Sequence, residues 1–279
     1  MATEGRALVL GGGGVTGVAW EIGLLYGLTE HGVDLSAADL FVGTSAGSVV
    51  AAQVTSGVPL EKLYADELAD TTGDRNAVLG NGVILRFVLS AAFPGDRRRG
   101  RAWLGRAALR SKTVPESERR NAIRYRVPHD DWPATPFRIA AVAAETGEFV
   151  AFDSSSGVSL IDAVAASCAV PIVWPPMTVN GVRYVDGGVR SVANVDLAAG
   201  HDRVVVIAPL IAALRRADRP GSQAAALGPG VRSTVVSPGR AALTAIGRNP
   251  LDPDHRAEAA EAGRKQAAAV AERVGRVWN

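Results

Sequence analysis

The stretch "LFVGTSAGS", residues 40–48, joins an apolar segment to a run of helix-forming residues through a turn of small side chains. It contains a G-x-S-x-G pattern, in which Ser45 lies between Gly43 and Gly47. Between a strand and a helix, this pattern places the serine on a sharp bend with its hydroxyl exposed, because small neighbours avoid clashes there. The free amides and the positive end of the following helix point to the same place. Ser45 is therefore a candidate nucleophile, and a glycine-rich turn without a catalytic role is the alternative.

A similar strand, loop and helix precede this unit. Residues 6–10, "RALVL", predict a buried strand, and the glycine loop "GGGGVTG" follows at residues 11–17. Apolar residues then recur at helical spacing from Val18 to Leu28, and the helix is expected to end at His31–Gly32. Two such units in succession favour a parallel sheet with helical crossovers, in which both loops lie at the carboxyl edge.

The glycine loop allows two interpretations. Gly12, Gly14 and Gly17 form G-x-G-x-x-G, a pattern typical of dinucleotide binding. A dinucleotide fold needs an acidic residue at the carboxyl end of the second strand to bind the ribose, whereas the only acid of this strand, Asp39, lies at its start. We therefore expect the amides of this loop to lie beside the candidate nucleophile and to form an oxyanion hole.

Ser45 also needs a general base, because an isolated hydroxyl is a poor nucleophile at neutral pH. None of the four histidines has a persuasive position in the sequence; they are His31, His129, His201 and His255. Asp186, in "YVDGG", is the better candidate, because it ends a predicted strand and two glycines follow it. Burial in an apolar pocket would raise its pKa from the usual value near 3.9. A turn-forming Asp-Gly pair without a catalytic role is the alternative.

Local signals elsewhere predict more of the secondary structure. A hairpin is expected around Thr146–Glu148 and another at Asn180–Gly181, and Ser159 is expected to begin a helix. "DRVVVIAPL", from residue 202, predicts a core strand. Residues 211–250 have only a loose pattern, and an alanine-rich helix is expected after them.

Four motifs occur in an order and at separations that resemble the bacterial patatin-like phospholipases. They are the glycine loop "GGGGVTG", the elbow "GTSAG", "SCAVPIVWPP" from Ser167, and "DGG" from Asp186. The resemblance covers residues 6–208. It implies a three-layer α/β/α fold with a mainly parallel central sheet, and a Ser-Asp dyad in place of a triad.

Carried over to this sequence, the resemblance makes Ser45 the nucleophile and Asp186 its activating base. Gly12, Gly13 and Gly14 then line the oxyanion hole. No metal or organic cofactor is implied, and the expected substrate is an acyl lipid: a phospholipid, a lysophospholipid or a neutral acyl ester.

One position departs from the family pattern. The family usually carries Arg or Lys two residues after its glycine triplet, and here that position is Thr16. Thr16 supplies no positive charge to hold the loop or a lipid phosphate. Arg190, four residues after Asp186, is a candidate substitute, and a solvated surface arginine is the favoured interpretation of it.

Length and composition bound the domain organisation and the partners. The 279 residues are 47% hydrophobic, which suits a single domain over residues 1–279. Its core is expected at 6–208, with an insertion at 71–136 and a helical C-terminal extension at 210–279. The net charge of +2 argues against nucleic acid as a partner. A single cysteine excludes an intrachain disulfide, and the N-terminus lacks a secretory pattern, so we expect a cytoplasmic protein.

Two segments of the insertion bear on lipid access. "RRRGRAWLGRAALRSK", residues 97–112, favours a solvated basic surface helix, with an amphipathic helix that contacts anionic lipid headgroups as the alternative. Residues 83–93, "VILRFVLSAAF", are interpreted either as a lid over an acyl pocket or as core. The partner expectation is therefore an acyl lipid, with transient peripheral contact to a membrane surface.

Three rival functions stay open at this point. One is an α/β-hydrolase esterase with a Ser45, Asp186 and His201 triad, whose chain order is correct. Against it, the elbow follows only the second strand, which is early for that fold. The others are a nucleotide-binding protein that uses the glycine loop and a catalytically silent interaction protein.

Overall fold

A computed structural model describes residues 3–69 and 77–279 of the chain. The strands are β1 (Thr3–Leu10), β2 (Leu40–Gly43), β3 (Phe137–Ala143), β4 (Phe149–Phe152), β5 (Met177–Val179), β6 (Val182–Asp186), β7 (His201–Ile207) and β8 (Arg232–Val236). The helices are α1 (Gly14–Glu30), α2 (Ala46–Val54), α3 (Leu60–Leu68), α4 (Asn81–Ala92), α5 (Arg97–Leu109), α6 (Glu116–Arg126), α7 (Leu160–Ser167), α8 (Pro220–Ala225), α9 (Arg240–Ile246) and α10 (Arg256–Trp278).

The eight strands form one sheet in the order β5-β6-β3-β2-β1-β7-β8, with β4 paired to β3. Five neighbouring strands of this order are parallel to one another: β3, β2, β1, β7 and β8. The other three strands, β4, β5 and β6, pair antiparallel at one side of the sheet. Leu10 lies level with Gly43 on one side and with Ile207 on the other, so β1, β2 and β7 end at the same edge. The prediction of a parallel centre with helical crossovers is confirmed.

Helices cover both faces of the sheet. Leu8, Leu10 and Phe41 belong to a large apolar core that also contains residues of α1, α2, α7 and α10. Val9 and Val42, which point to the other face, belong to a second core with residues of α8 and of a short 3-10 turn at Val195–Ala198. The period-two alternation of strand side chains produces this division. The predicted three-layer α/β/α architecture is confirmed.

The predicted turns have the backbone geometry that their residues favour. Asn180 and Gly181 both have positive φ, 48° and 78°, as a two-residue hairpin of type I′ requires. Gly147, between β3 and β4, has φ 71°. Ser159 precedes α7, and its hydroxyl accepts a hydrogen bond from the Asp162 amide at 3.1 Å.

The terminal helix α10 packs along α1 at very short range. A Cβ on Gly23 would lie 2.0 Å from the Ala260 carbonyl oxygen, and one on Gly263 would lie 2.3 Å from that of Trp20. These glycines therefore allow the two helix backbones to touch. Trp278, the last residue of α10, is buried and donates its indole N–H to the Asp34 carbonyl at 2.7 Å. No sequence motif had indicated this packing.

One expectation needs correction, and one of two alternatives is excluded. Residues 211–250, in the extension expected to be helical, contain a strand, β8, which pairs with β7 across the register from Arg203 to Ile207. Of the two interpretations of residues 83–93, core is excluded, because Ser90 is the only buried residue of α4. In the described part of the insertion, residues 77–136, the chain forms helices and no strand.

Within residues 3–69 and 77–279, no helix combines the length and the apolar character needed to cross a bilayer.

Candidate active site

Ser45 occupies the bend between β2 and α2 in a conformation that serine rarely adopts. Its φ of 52° and ψ of −118° lie outside the usual regions for a residue with a side chain. Gly43 and Gly47 permit the bend, because a Cβ on Gly43 would lie 2.6 Å from Ser48 Cα and one on Gly47 would lie 2.1 Å from the Leu10 carbonyl oxygen. The G-x-S-x-G pattern is thus required by close backbone packing.

Three hydrogen bonds to side chains help to hold the Ser45 backbone in this conformation. Its N–H donates to Ser167 Oγ at 2.9 Å. Its carbonyl oxygen accepts from Ser48 Oγ at 2.6 Å and from the Cys168 thiol at 3.3 Å. Such bonds offset the cost of the unusual backbone, which is on the order of 1–3 kcal/mol.

The strand register places Asp186 at the same edge of the sheet as Ser45. Gly43 is level with Ile139 of β3, and Ala141, two residues further along β3, is level with Asp186 at the end of β6. Ser45 likewise follows Gly43 by two residues. The strand register therefore brings the two side chains to one edge although they are 141 residues apart (186 minus 45) in the sequence.

The Asp186 carboxyl group is buried and only partly hydrogen-bonded. Oδ1 accepts the Gly188 amide at 2.7 Å, whereas Oδ2 is buried and has no hydrogen bond of standard geometry to a described residue. Burial raises the pKa of Asp186 to about 6, and the neighbouring Ser45 hydroxyl, the Gly188 amide and Arg119 oppose that rise. Oδ2 is therefore free to accept a proton.

One tripeptide, Ser167–Cys168–Ala169, connects the two candidate residues. Ser167 and Cys168 hold the Ser45 backbone, and the Ala169 carbonyl accepts the Asp186 amide at 3.0 Å. The "SCA" residues of the third motif thus position Ser45 and Asp186 relative to each other. The sequence indicated the motif but not this role.

Asn194 makes a second connection between the same elements. Its Nδ2 donates to Thr44 Oγ1 at 3.0 Å, to the Ser191 carbonyl at 2.8 Å and to the Gly187 carbonyl at 3.4 Å. Thr44 directly precedes Ser45, and Gly187 directly follows Asp186. No signal in the sequence had singled out Asn194.

The predicted oxyanion-hole residues lie beside Ser45, and their amides differ in availability. A Cβ on Gly12 would lie 3.6 Å from Ser45 Cβ, so the loop passes directly along the serine. The Gly12 N–H donates to the Val192 carbonyl at 2.7 Å. The N–H groups of Gly13 and Gly14 donate to no acceptor in the described part of the chain. These two amides are the available donors of the loop.

A buried carboxyl group lies beneath the glycine loop. Glu21 Oε1 accepts the Gly11 amide at 3.1 Å, and Oε2 has no partner among the described residues. Burial raises the pKa of Glu21 well above its usual value, and the bond from the Gly11 amide opposes that rise. Through this bond, Glu21 fixes the start of the loop.

A sequence profile described as "Patatin: Patatin-like phospholipase" matches residues 8–199, more than half of the chain. The chain belongs to the patatin-like phospholipase family. This is a family of lipid ester hydrolases, and the chain is accordingly an enzyme of that class. The expected family is thereby confirmed, and its substrates are lipids.

Two solved structures are similar to this patatin-like chain. VipD from Legionella pneumophila aligns with a TM-score of 0.48 and 14% identity over 97% of this chain and 67% of its own. The type III effector protein ExoU aligns with a TM-score of 0.43 and 14% identity over 97% of this chain and 53% of its own. The chain thus spans about two thirds of the first and about half of the second. No curated protein sequence matches it significantly.

The triad with His201 is excluded by the strand register. His201 begins β7 and lies level with Thr3, whereas Ile207 lies level with Leu10 at the edge that carries Ser45. Six residues of strand separate His201 from that edge, about 20 Å at 3.3 Å per residue. The His201 ring contacts the Ala198 carbonyl instead.

The two positions considered for a phosphate-binding charge are both engaged elsewhere. Thr16 is fully buried, and both its amide and its hydroxyl donate to the Pro250 carbonyl, at 3.1 and 3.2 Å. Arg190 forms a two-pronged ion pair with Asp196, at 2.9 and 2.6 Å, and its guanidinium lies 4.0 Å from the centre of the Phe149 ring. Arg190 is therefore neither a substitute for the missing charge nor a freely solvated arginine.

In the described residues, no group of three or more His, Cys, Asp or Glu side chains is placed to hold a metal ion.

Ser167→Ala should impair both stability and turnover. Removing the hydroxyl leaves the Ser45 amide buried without its acceptor, which costs about 1–3 kcal/mol in the free energy of unfolding. We expect kcat for a soluble ester to fall as the bend relaxes. Urea unfolding and steady-state kinetics measure the two effects.

Ser111→Ala is the matched control, because that hydroxyl donates to the Ala108 carbonyl at the end of α5. It should change the free energy of unfolding by less than about 1 kcal/mol and leave kcat unchanged. Equal behaviour of the two variants would contradict the positioning role of Ser167.

Proposed function

We propose that this chain hydrolyses acyl esters of lipids through a dyad of Ser45 and Asp186. The observation that supports the proposal best is the direct proximity of the Ser45 hydroxyl to a buried carboxyl group with a free oxygen. Family membership supports the lipid ester as substrate.

The reaction takes place in two steps. Asp186 accepts the Ser45 proton while Ser45 Oγ attacks the ester carbonyl, and the collapse of the tetrahedral intermediate expels the alcohol and leaves an acyl-serine. Water, activated by the same carboxylate, then attacks the acyl-serine and releases the fatty acid. In the first step Asp186 passes the accepted proton to the leaving alcohol, and in the second it passes the proton taken from water to Ser45 Oγ, which restores the free enzyme.

The oxyanion of each tetrahedral intermediate accepts hydrogen bonds from the glycine loop. The amides of Gly13 and Gly14 are the primary donors, because they have no other acceptor in the described part of the chain. Gly12 lines the same loop and can donate only after its bond to Val192 breaks. A donor placed in this way typically contributes about 3–4 kcal/mol to the transition state.

Covalent labelling tests the dyad. A fluorophosphonate probe should label the wild-type chain, should not label Ser45→Ala, and should label Asp186→Asn at least about 100-fold more slowly, because general-base assistance is lost. Intact-mass spectrometry and gel fluorescence measure the adduct.

The chain offers a matched control pair. Ser36 Oγ donates to Asp34 Oδ1 at 2.6 Å on the surface, where neither a buried carboxylate nor free loop amides are present. Ser36→Ala and Asp34→Asn should be labelled like the wild type. Undiminished labelling of Ser45→Ala would end the proposal, and an unlabelled wild type would favour the catalytically silent alternative.

The fall of kcat/KM at acidic pH should reflect the protonation of Asp186. Asp186 must be ionised to accept the serine proton, so kcat/KM should fall as pH drops through about 6, where its pKa lies. Well below that value, the loss should approach about tenfold for each pH unit. A soluble ester assayed in buffers in which the chain stays folded measures the profile. A limb near pH 4, the usual aspartate value, would contradict the role of burial.

We also propose that the chain contacts a membrane surface through α4 and α5. The outward face of α4 is apolar and 42–57% exposed, and it consists of Ile84, Leu85, Val88 and Leu89. On α5 and at the residue that caps its end, a tryptophan and three arginines recur at helical spacing on one exposed side: Arg99, Trp103, Arg106 and Arg110. None of these arginines forms an ion pair with a described residue.

An anionic bilayer fits this surface better than a protein partner or water. Apolar side chains enter the acyl region, tryptophan prefers the interface, and unpaired arginines bind phosphates. The two helices meet where a Cβ on Gly100 would lie 2.3 Å from the Ser90 carbonyl oxygen, so the apolar and basic sides adjoin. The Ala77 carbonyl, just before α4, accepts a hydrogen bond from the Asn249 side chain. The next residue, Pro250, accepts a hydrogen bond from the glycine loop.

Vesicle sedimentation tests this surface. The double variant Leu85→Gln with Leu89→Gln should bind vesicles of phosphatidylcholine and phosphatidylglycerol roughly tenfold more weakly than the wild type, because two half-exposed leucines no longer enter the bilayer. Leu243→Gln, at a leucine that is 55% exposed on α9, is the control and should bind normally. Equal binding of all three proteins would contradict the proposal.

A further inference from the structure

Arg119, on α6 of the insertion, brings a positive charge next to the candidate active site. Its Nη2 donates to the Cys168 carbonyl at 3.3 Å, and its guanidinium lies 4.2 Å from the centre of the Trp174 ring. Cys168 also donates its thiol to the Ser45 carbonyl. A single residue therefore separates this guanidinium from the candidate nucleophile.

The Arg119 guanidinium lacks a bonded counter-charge. It forms no ion pair with any residue in the described ranges, and its Nε is buried without a hydrogen-bond partner. Burial lowers the pKa of Arg119, and the nearby Cys168 thiol and Asp186 carboxyl group oppose that effect. Buried charges are normally paired, so an unpaired cation at the edge of a site is suited to bind an anion.

The side chain is also held in place before any ligand binds. The Trp174 ring lies against the guanidinium, and the bond to Cys168 holds one of its nitrogens. Arg119 as a residue is only partly buried, whereas its Nε is buried. A planar guanidinium suits phosphate oxygens, which accept two parallel hydrogen bonds.

We propose that Arg119 is a specificity-determining residue that binds the phosphodiester of a phospholipid substrate. The inference rests on the proposed function, because it places the ester carbonyl over Ser45 while the phosphate lies against Arg119. It assigns to the insertion the positive charge that Thr16 does not supply and that Arg190 uses in its ion pair with Asp196. The preferred substrate class is then the phospholipid and not the neutral acyl ester.

A pair of substrates with identical acyl chains isolates the phosphate. Arg119→Gln should lower kcat/KM for monomeric dihexanoyl phosphatidylcholine about 10- to 100-fold and that for dihexanoylglycerol less than about threefold, because only the first carries the anion. Arg119→Lys keeps the charge and should recover part of the loss. Arg124→Gln removes a charge from the same helix, where Arg124 pairs with Asp130, and should leave the ratio of the two substrates unchanged.

A measurement on the wild type covers the case in which Arg119→Gln fails to fold. An ether-linked, non-hydrolysable phosphatidylcholine should inhibit dihexanoylglycerol hydrolysis at least about tenfold more strongly than the matching neutral diether. Equal inhibition by the two ethers, or an equal loss of kcat/KM on both esters in Arg119→Gln, would overturn the inference.

Failure of the proposed function gives a different result. Ser45→Ala would then still hydrolyse both esters, whatever the Arg119 variants do. If Ser45→Ala is inactive and the two esters respond alike to Arg119→Gln, only the assignment of Arg119 is wrong.

Discussion

The hydrogen bond from the Ser45 amide to the Ser167 hydroxyl holds a backbone conformation on which the rest of the site depends. A serine with positive φ persists only where its surroundings fix it. The same tripeptide accepts the Asp186 amide through Ala169, so strain relief at the serine and placement of the carboxylate come from one short segment. Ser45 and Asp186, the proposed nucleophile and base, are thus positioned together.

In the proposed dyad, burial suits an aspartate to the role of general base, which histidine usually performs. In water a carboxylate is a weak base, whereas desolvation at the end of β6 raises the pKa of Asp186 towards neutrality. Because its second oxygen has no hydrogen-bond partner among the described residues, the carboxyl group retains capacity to accept a proton. A fully hydrogen-bonded aspartate at the same place would be a poorer base.

Local signals in the sequence predicted many of the helices, strands and turns. Contacts between residues that are far apart in the sequence could not be predicted in this way. The elbow around Ser45, the hairpin at Asn180–Gly181 and the cap at Ser159 depend on neighbouring residues, so their letters suffice. The contacts of Ser167, Asn194 and Arg119 join segments that are far apart in the chain. Because serine, asparagine and arginine are common residues, their presence alone does not predict such contacts. β8 escaped prediction because its strand is short and only partly apolar.

The packing of α10 on α1 has a consequence for biosynthesis. Glycine-to-carbonyl contacts such as that of Gly23 with Ala260 join residues 237 positions apart in the sequence (260 minus 23), so α1 gains this cover only when α10 has also been synthesised. The helix that follows the glycine loop therefore depends on a much later segment of the chain. Until that segment packs, the apolar side of α1 is open to chaperones or to aggregation.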